Sequence, residues 1–319
     1  MPEDIATDRI ALSLVIPVYN EEESILALWQ CIRRACESLG SQYEVIFVDD
    51  GSRDRTFDML KRINREDAKV KVIRFRRNFG QTAAMAAGFE YASGEIIVSM
   101  DGDLQNDPGD IPTLLSKIDE GFDVVCGWRK NRQDTFWTRR LPSVVANWII
   151  GQVTGVRIHD NGCSLKAYRA PIIKNVALYG EMHRFIPAMS TLAGAKITEI
   201  VVNHHPRRFG QSKYGIGRVW RVALDIITVK LIIGSASRPA LWFGLPSFLV
   251  FGLGLLALLL GAAMYSERMP SEWLVMSTVA FLFFLLGVHL LSMGIIGELS
   301  MRTGDYLPEK VLRPTITLL

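Results

Sequence analysis

The residues most suited to chemistry lie together at Asp101-Gly102-Asp103, followed by Leu104-Gln105-Asn106-Asp107-Pro108. Two carboxylates bracketing a glycine can offer oxygens to one hard divalent cation, Mg²⁺ or Mn²⁺, while ligand phosphates complete its shell. A turn or a helix cap would use the same tripeptide. Three further short sets share its character: Asn20 with Glu21, Asp49 with Asp50, and Asn78. Acids and amides of this kind suit a ribose, a base edge or a metal better than bare phosphate. Neither GxGxxG nor GxxxxGK[ST] occurs, so dinucleotide and P-loop sites have no support. The four cysteines, Cys31, Cys36, Cys126 and Cys163, form no CxxC pair and read as reduced thiols.

The segments that must carry these groups alternate. LSLVIPVY (12–19), EVIFVDD (44–50), KVKVIRF (69–75), EIIVSM (95–100) and FDVVCGW (122–128) are short apolar runs rich in β-formers. Between them an acidic helix start follows Asn20, a helix is predicted over 55–65, and an Ala-rich helix runs from Asn78-Phe79-Gly80 to about Ala92. The alternation predicts an α/β fold, a mostly parallel sheet with helices on both faces. Ligands of such sheets bind at the carboxyl ends of the strands. Each acid and amide named above falls at such an end. The turn reading of Asp50 and the helix-cap reading of Asn78 stay open.

Charge then separates the chain into parts. The 319 residues hold 36 Lys and Arg against 33 Asp and Glu, yet residues 239–297 contain only Glu267, Arg268 and Glu272. Pro239–Tyr265 and Trp273–Gly297 carry no charged residue, and each exceeds the roughly 20 residues needed to cross a bilayer core. Joined by a short loop, they predict a transmembrane hairpin. Arg238 before the hairpin and Arg302, Lys310 and Arg313 after it predict cytoplasmic termini. No apolar signal segment precedes Leu12, so residues 1–238 are expected to stay in the cytoplasm. The expected organisation is a catalytic domain (1–216), an amphipathic juxtamembrane helix (217–238), spans at 239–265 and 273–298, and a cytoplasmic tail (299–319). His289 is the one ionisable group within the spans. It reads as a helix–helix hydrogen bonder rather than a proton relay, and such bare spans argue against a transporter or lipid flippase. Gly252, Gly254, Gly261, Gly294 and Gly297 would permit close helix packing and a homo-oligomer.

VIPVYNEEE (15–23), VDDGSRDRT (48–56), RNFGQTAAMAAGF (77–89) and SMDGDLQNDP (99–108), in this order, resemble the inverting family 2 glycosyltransferases of GT-A fold. DNGCSLKAYR (160–169), GEMHRFIPA (180–188) and RRFGQSKYG (207–215) extend the resemblance to the polyprenyl-phosphate branch, over essentially residues 12–300. The hairpin resembles the two-span anchor of the bactoprenol glucosyltransferase type. The resemblance implies that Pro17, Tyr19, Glu21, Val48 and Asp50 line a nucleotide pocket. It implies that Asp101, Gly102, Asp103 and Gln105 face the donor, with Asp101, Asp103 and Gln105 around the metal. Asp160 falls where it implies a candidate base, with loop capping as the alternative. Dolichol-phosphate mannose synthases carry arginine where this chain has Lys166, which favours a UDP-sugar, most simply UDP-glucose, over GDP-mannose. A UDP-modified arabinose is a further alternative.

A second substrate is suggested by charge. Arg207, Arg208, Lys213, Arg218 and Arg221 lie in a stretch from Ile200 to Leu224 without an acid, and another basic stretch runs from Arg129 to Arg140. No aromatic-interleaved RNA motif accompanies them, so nucleic acid is not the expected partner. Residues 218–233 instead fit a helix on a headgroup layer, where cations attract anionic lipid. A polyprenyl phosphate arriving there would meet Arg208 and Lys213, with the Ser212 hydroxyl beside them. The acceptor phosphate is already largely ionised near neutral pH, its second pKa being about 6, so a strong base is less necessary than for a sugar hydroxyl. A metal and a cation such as Arg129 would balance charge growing on the leaving diphosphate. The sequence thus predicts a membrane-anchored hexosyltransferase. The rival reading is a non-catalytic nucleotide-sugar or lipid-binding protein.

Overall fold

The computed structural model describes residues 10–130, 141–176, 178, 180, 182–206, 239–263, 270–303 and 316–318. The first five strands follow the apolar runs: β1 (Leu12–Val18), β2 (Tyr43–Asp49), β3 (Val70–Phe75), β4 (Ile96–Ser99) and β5 (Val124–Trp128). Three strands complete the sheet: β6 (Lys166–Arg169), β7 (Ile197–Val201) and β8 (Ile316–Leu318). Their order is β7-β5-β6-β4-β1-β2-β3-β8. The pairs β1/β2, β1/β4, β2/β3 and β5/β7 are parallel, while β6 lies antiparallel between β4 and β5 and β8 antiparallel along β3. The sheet is therefore mixed rather than uniformly parallel on its β5 side. A four-residue strand reading KAYR has too few apolar positions to announce itself.

Side chains alternate across β1. Leu12, Leu14, Ile16 and Val18 join one core with α1 (Ile25–Glu37), α2 (Thr56–Glu66) and α4 (Ile111–Asp119). Val15 points the other way, toward α3 (Gln81–Tyr91). A Cβ at Gly88 would lie 2.2 Å from the Val15 Cγ1, so only glycine lets α3 lie this close to the sheet. Farther along, α5 (Leu141–Thr154), α6 (Ala170–Ile173) and α7 (Ile186–Ser190) follow β5 and β6.

One charged network is buried away from the carboxyl ends of the strands. Glu44, 2% exposed, accepts from the Ser13 hydroxyl (2.6 Å) and the Ser93 amide (2.6 Å) and pairs with Lys71 (2.5 Å). Burial pushes the Glu44 carboxyl up, but the bonds from Lys71, Ser13 and Ser93 outweigh it and hold the group below the ordinary carboxylate range. A depressed carboxylate stabilises the fold above its unfolded value, near 4.5, and that stability is lost as pH falls through the folded value. Glu44→Gln is thus expected to cost about 2 kcal/mol near neutral pH, since hydrogen bonds to charged groups are worth about that much. Measured by thermal unfolding across pH, the deficit should shrink below about pH 4.5; a deficit unchanged down to pH 3 would contradict the assignment.

Contacts divide the chain into one unit of Met1–Val229 with Pro308–Leu319 and a second of Lys230–Leu307. Within the second unit, α8 (Pro239–Ala263) and α9 (Pro270–Thr303) form an antiparallel hairpin, and both are long and apolar enough to cross a membrane. Gly254 packs on Phe283, Gly261 on Met276, Gly294 on Ala240 and Gly297 on Pro239, so four of the five glycines serve the hairpin itself. Gly252 has nothing within 4 Å. The buried Ser247 hydroxyl donates to the Gly287 carbonyl (3.0 Å), while His289 is exposed on the hairpin surface. Polar links between the two helices therefore include Ser247 and the bond from the Ala240 amide to Glu298 (3.4 Å), rather than His289.

Candidate active site

The carboxyl ends of β1, β2, β3 and β4 gather loops that are bonded to one another before any ligand arrives. Asn20 (φ 52°) and Glu21 follow β1. The Asn20 amide donates to the Ser52 hydroxyl (2.9 Å), the Glu21 amide to the Thr56 hydroxyl (2.8 Å), and the Arg53 amide to the Asn20 side chain (2.9 Å). These bonds fasten the first loop to the one after β2. Ser24 then links Glu21 to the acidic tripeptide: its hydroxyl lies 2.8 Å from the Glu21 carboxylate and 3.2 Å from the Gly102 carbonyl. Gly102 itself is buried, and a Cβ there would approach Val18 Cγ1 to 2.7 Å.

Asp50 is 4% exposed, and its two oxygens accept from the amides of Phe79 (2.7 Å) and Gly80 (2.9 Å). It thereby fixes the turn into α3. Burial pushes its carboxyl up, against the pull of those two amides. Pro17 and Tyr19 are half-buried at the carboxyl end of β1. Val48 differs, being fully buried with its methyls toward α3, 3.2 Å from where a Gly88 Cβ would be. Its side chain belongs to the core rather than to a pocket surface, because alternation along β2 turns it inward.

Asp101 and Asp103 are both half-buried. Asp101 accepts from the Gln81 side chain (2.7 Å), and Asp103 accepts from the Gln105 amide (3.2 Å). Leu104, between Asp103 and Gln105, has φ 60°, a costly conformation for a bulky residue, and its side chain packs against the main core. Strain held by packing in this way clusters at functional loops. The Gln105 side-chain nitrogen donates to the His205 carbonyl (3.4 Å). Two carboxylates and an amide oxygen are the donor type that suits Mg²⁺ or Mn²⁺. Among the described residues no group of three or more His, Cys, Asp and Glu gathers as a complete cage. The residues fit an ion that shares its shell with ligand phosphates.

Asp160 meets Arg129 in a buried bidentate pair, Nε to Oδ2 at 2.7 Å and Nη2 to Oδ1 at 3.0 Å, with the side chains 4% and 11% exposed. Burial works against the guanidinium charge, yet the bond from Asp160 and the charges of Asp160 and Asp101 hold it above its ordinary value. Asp101, Arg129 and Asp160 are thus near one another although 59 positions separate the first from the last. The pair borders a cavity of about 680 Å³, lined by Trp128, Lys130, Trp148 and His159 among others. His159 stacks on Trp128 (4.2 Å between centroids) and hydrogen-bonds Glu199 of β7. Lys166 is buried with its ammonium on the Asn161 carbonyl (3.0 Å), steadying the turn that presents Asp160.

Sequence reasoning passed over Gln81, Ser24 and the Thr82–His183 bond (2.7 Å). Gln81 opens α3 directly after a strand-end loop, which was the available signal; His183 lies in GEMHRFIPA (180–188), but its pairing with Thr82 about a hundred residues earlier has no local signature. Arg208, Ser212 and Lys213 lie outside the described residues, as does the juxtamembrane segment 217–238.

The family model described as glycosyl transferase family 2 matches residues 13–177. A dodecaprenyl-phosphate galacturonate synthase of Rhizobium johnstonii is 43% identical over 315 residues, covering 95% of this chain and 92% of that protein. An undecaprenyl-phosphate 4-deoxy-4-formamido-L-arabinose transferase of Salmonella paratyphi B is 38% identical over 292 residues, covering 90% and 87%. Among solved structures, glucosyl-3-phosphoglycerate synthase from Mycobacterium tuberculosis with Mn²⁺, UDP and phosphoglyceric acid superposes with a TM-score of 0.54 at 18% identity, covering 71% of this chain and 79% of that one. The same enzyme with Mn²⁺ and UDP-glucose gives 0.53. The likeness is one of fold: a GT-A-like mixed sheet with helices on both faces.

Proposed function

The chain belongs to glycosyl transferase family 2, and from that membership we propose that it transfers one sugar from a nucleoside-diphosphate donor to polyprenyl phosphate. The observation that carries this reading is the grouping of Asp101, Gly102 and Asp103 with the Arg129–Asp160 pair at the carboxyl end of the sheet. An acceptor phosphate oxygen attacks the anomeric carbon, the bond from that carbon to the diphosphate breaks, and the diphosphate leaves with the electron pair. One in-line displacement inverts the anomeric centre. A divalent cation bound at Asp101 and Asp103, with Gln105 alongside, would neutralise charge growing on the diphosphate. Arg129, oriented by both oxygens of Asp160, places a second positive charge there. Asp160 acts by aiming Arg129, and the acceptor dianion needs no strong base. Pro17, Tyr19, Glu21 and Asp50 hold the nucleotide, Asp50 by fixing the turn at Phe79 and Gly80. Arg208, Ser212 and Lys213 receive the acceptor phosphate.

For the donor, a UDP-sugar is proposed. Relatives named for galacturonate and formamido-arabinose put UDP-galacturonate first, ahead of the UDP-glucose expected from sequence. Lys166 acts in this reading by holding the Asn161 carbonyl in the turn that presents Asp160.

The hairpin anchors the enzyme in the membrane with the catalytic unit in the cytoplasm. Support comes from β8, which follows the second span yet pairs in the sheet built by residues before the first, as both ends of a hairpin opening to one side allow. Purified full-length protein should be incubated with Mg²⁺ or Mn²⁺, polyprenyl phosphate and labelled UDP-galacturonate, UDP-glucose, a UDP-arabinose derivative or GDP-mannose. The expected result is a lipid-extractable labelled product that EDTA abolishes. No product from any donor would overturn the reading.

A further inference from the structure

A second concave surface lies where the loops leaving β2 and β3 meet. It is a cavity of about 440 Å³ whose lining includes Arg53, Arg74, Arg76 and Arg77 together with Ser52 and Asn78. The two loops touch through backbone: a Cβ at Gly51, which has φ 71°, would lie 2.5 Å from the Arg77 carbonyl carbon. Of the four guanidiniums, Arg74 alone has a carboxylate partner among the described residues, the buried Asp49 (3.5 Å), and it also lies over the Phe57 ring (4.0 Å to the centroid). Arg77 lies over the Phe79 ring (4.1 Å) and meets the Asn78 carbonyl (3.5 Å), neither of which carries charge. The side chains of Arg53 and Arg76 are exposed and make no hydrogen bond or ion pair with the described residues. Nearby acids serve other groups: Asp54 accepts from the Glu22 and Thr56 amides, and Glu22 pairs with Arg55. Cations gathered in one cavity repel one another unless an anion joins them. The planar fork of a guanidinium grips phosphate oxygens two at a time.

We propose that this cavity binds a phosphate-bearing anion, bridged by Arg53 and Arg76 with Arg77 alongside, and that its occupancy tightens the nucleotide pocket. The inference rests on the reading above only in taking Asp50 and its neighbours as part of that pocket. The coupling runs through bonds between the two loops and β1. The Arg53 amide donates to the Asn20 side chain (2.9 Å), and Asp50 accepts from the amide of Phe79, whose ring carries Arg77. An anion shared by Arg53 and Arg76 joins the loops that supply those bonds. A pocket wall held in place beforehand needs less ordering when the nucleotide arrives. The effect is reciprocal, so bound nucleotide tightens the anion by the same factor. Free phosphate and the headgroup of an anionic phospholipid share the chemistry that this cavity recognises.

The test uses full-length protein, UDP and Mg²⁺, with inorganic phosphate as the probe and chloride at matched ionic strength as the control. Saturating phosphate is expected to tighten UDP binding about fivefold, at the lower end of ordinary coupling between sites, and chloride to leave it unchanged. Arg53→Ala combined with Arg76→Ala should abolish the response while leaving UDP affinity without phosphate within about twofold. Arg53→Lys combined with Arg76→Lys should keep part of the response, since charge survives and the fork does not. Proteoliposomes free of phosphate separate the sources. If the headgroup is the ligand, replacing phosphatidylcholine with phosphatidylglycerol tightens UDP in the wild type and not in the double alanine variant. If the ligand is soluble, that exchange changes nothing and free phosphate keeps its effect. Equal responses of wild type and variant, or none to either probe, would overturn the proposal. A loss of UDP affinity on adding phosphate, relieved in the variant, would also overturn it, because the anion would then occupy the nucleotide pocket itself. Should UDP not bind at all, the nucleotide reading falls, and the anion site stands or falls on whether phosphate ³¹P line broadening disappears in the double alanine variant.

Discussion

Asp103→Ala is expected to lower turnover by about a hundredfold to a thousandfold, the range seen when one group stabilising transition-state charge is removed. The size follows from what the residue does. In the proposed reading, leaving-group departure puts negative charge on the diphosphate, and a divalent ion held by Asp101 and Asp103 would answer it. Losing one of two anionic ligands weakens the ion at the moment when its charge is needed most. The folded state should tolerate the change, because Asp103 is half-buried and the loop keeps its other anchors: the Gln81–Asp101 bond, the Ser24–Gly102 bond and the packing of Leu104. Turnover, Mn²⁺ titration and thermal unfolding should therefore separate. The expected pattern is a large loss of turnover, a raised metal requirement and a Tm shift of a few degrees. A loss below tenfold at saturating metal would remove Asp103 from the ion's shell.

The second large effect is expected at the Arg129–Asp160 pair, where activity and stability move together and can be separated by a double variant. Arg129→Ala leaves the Asp160 carboxylate buried without its bidentate partner. Breaking a buried pair on one side costs about 3–5 kcal/mol, or about 10 °C in Tm for a domain of this size. Replacing both residues with alanine removes the orphaned charge and should recover much of that loss, whereas turnover should stay at least about a hundredfold down because the cation is gone. Asp160→Asn keeps the shape but weakens the grip on the guanidinium, and should cost turnover more than stability. If Asp160→Asn costs less than tenfold in turnover, Asp160 has no part in the mechanism.

Much of this arrangement was legible in the sequence because the strands that carry it are local and apolar. LSLVIPVY, EVIFVDD, KVKVIRF and EIIVSM begin and end within two residues of β1, β2, β3 and β4, so the acids at their ends had to share one edge. What escaped depends on long-range pairing. Residues 166–169 are too short to show a period, and their place between β4 and β5 follows from antiparallel bonds to both. β8 escaped for a similar reason: Ile316–Leu318 read as part of a tail, and only the open edge of β3 gives those residues a partner. Asp50 was read from its type as a ligand group or a turn former, and the turn it holds lies about thirty residues away rather than beside it. Asp160 was read as a candidate base or a loop cap; its bidentate contact with Arg129, which no spacing rule could supply, supports the orienting role proposed for it. Asp110 and Asp107 find their partners, Asn203 and His205, nearly a hundred residues later in the segment that follows β7, a pairing no local pattern announces.

The position of β8 also bears on the order in which the molecule is made. Its three residues follow both long helices of the hairpin, so they cannot reach β3 until that hairpin has been synthesised. Until then the outer edge of β3 presents unpaired amides and carbonyls, the kind of edge on which strands of other molecules can add. A substitution within 316–318 that breaks this pairing, such as Thr317→Pro, would leave the edge open, and its signature would be aggregation of newly made chains rather than reduced activity in the molecules that have already closed.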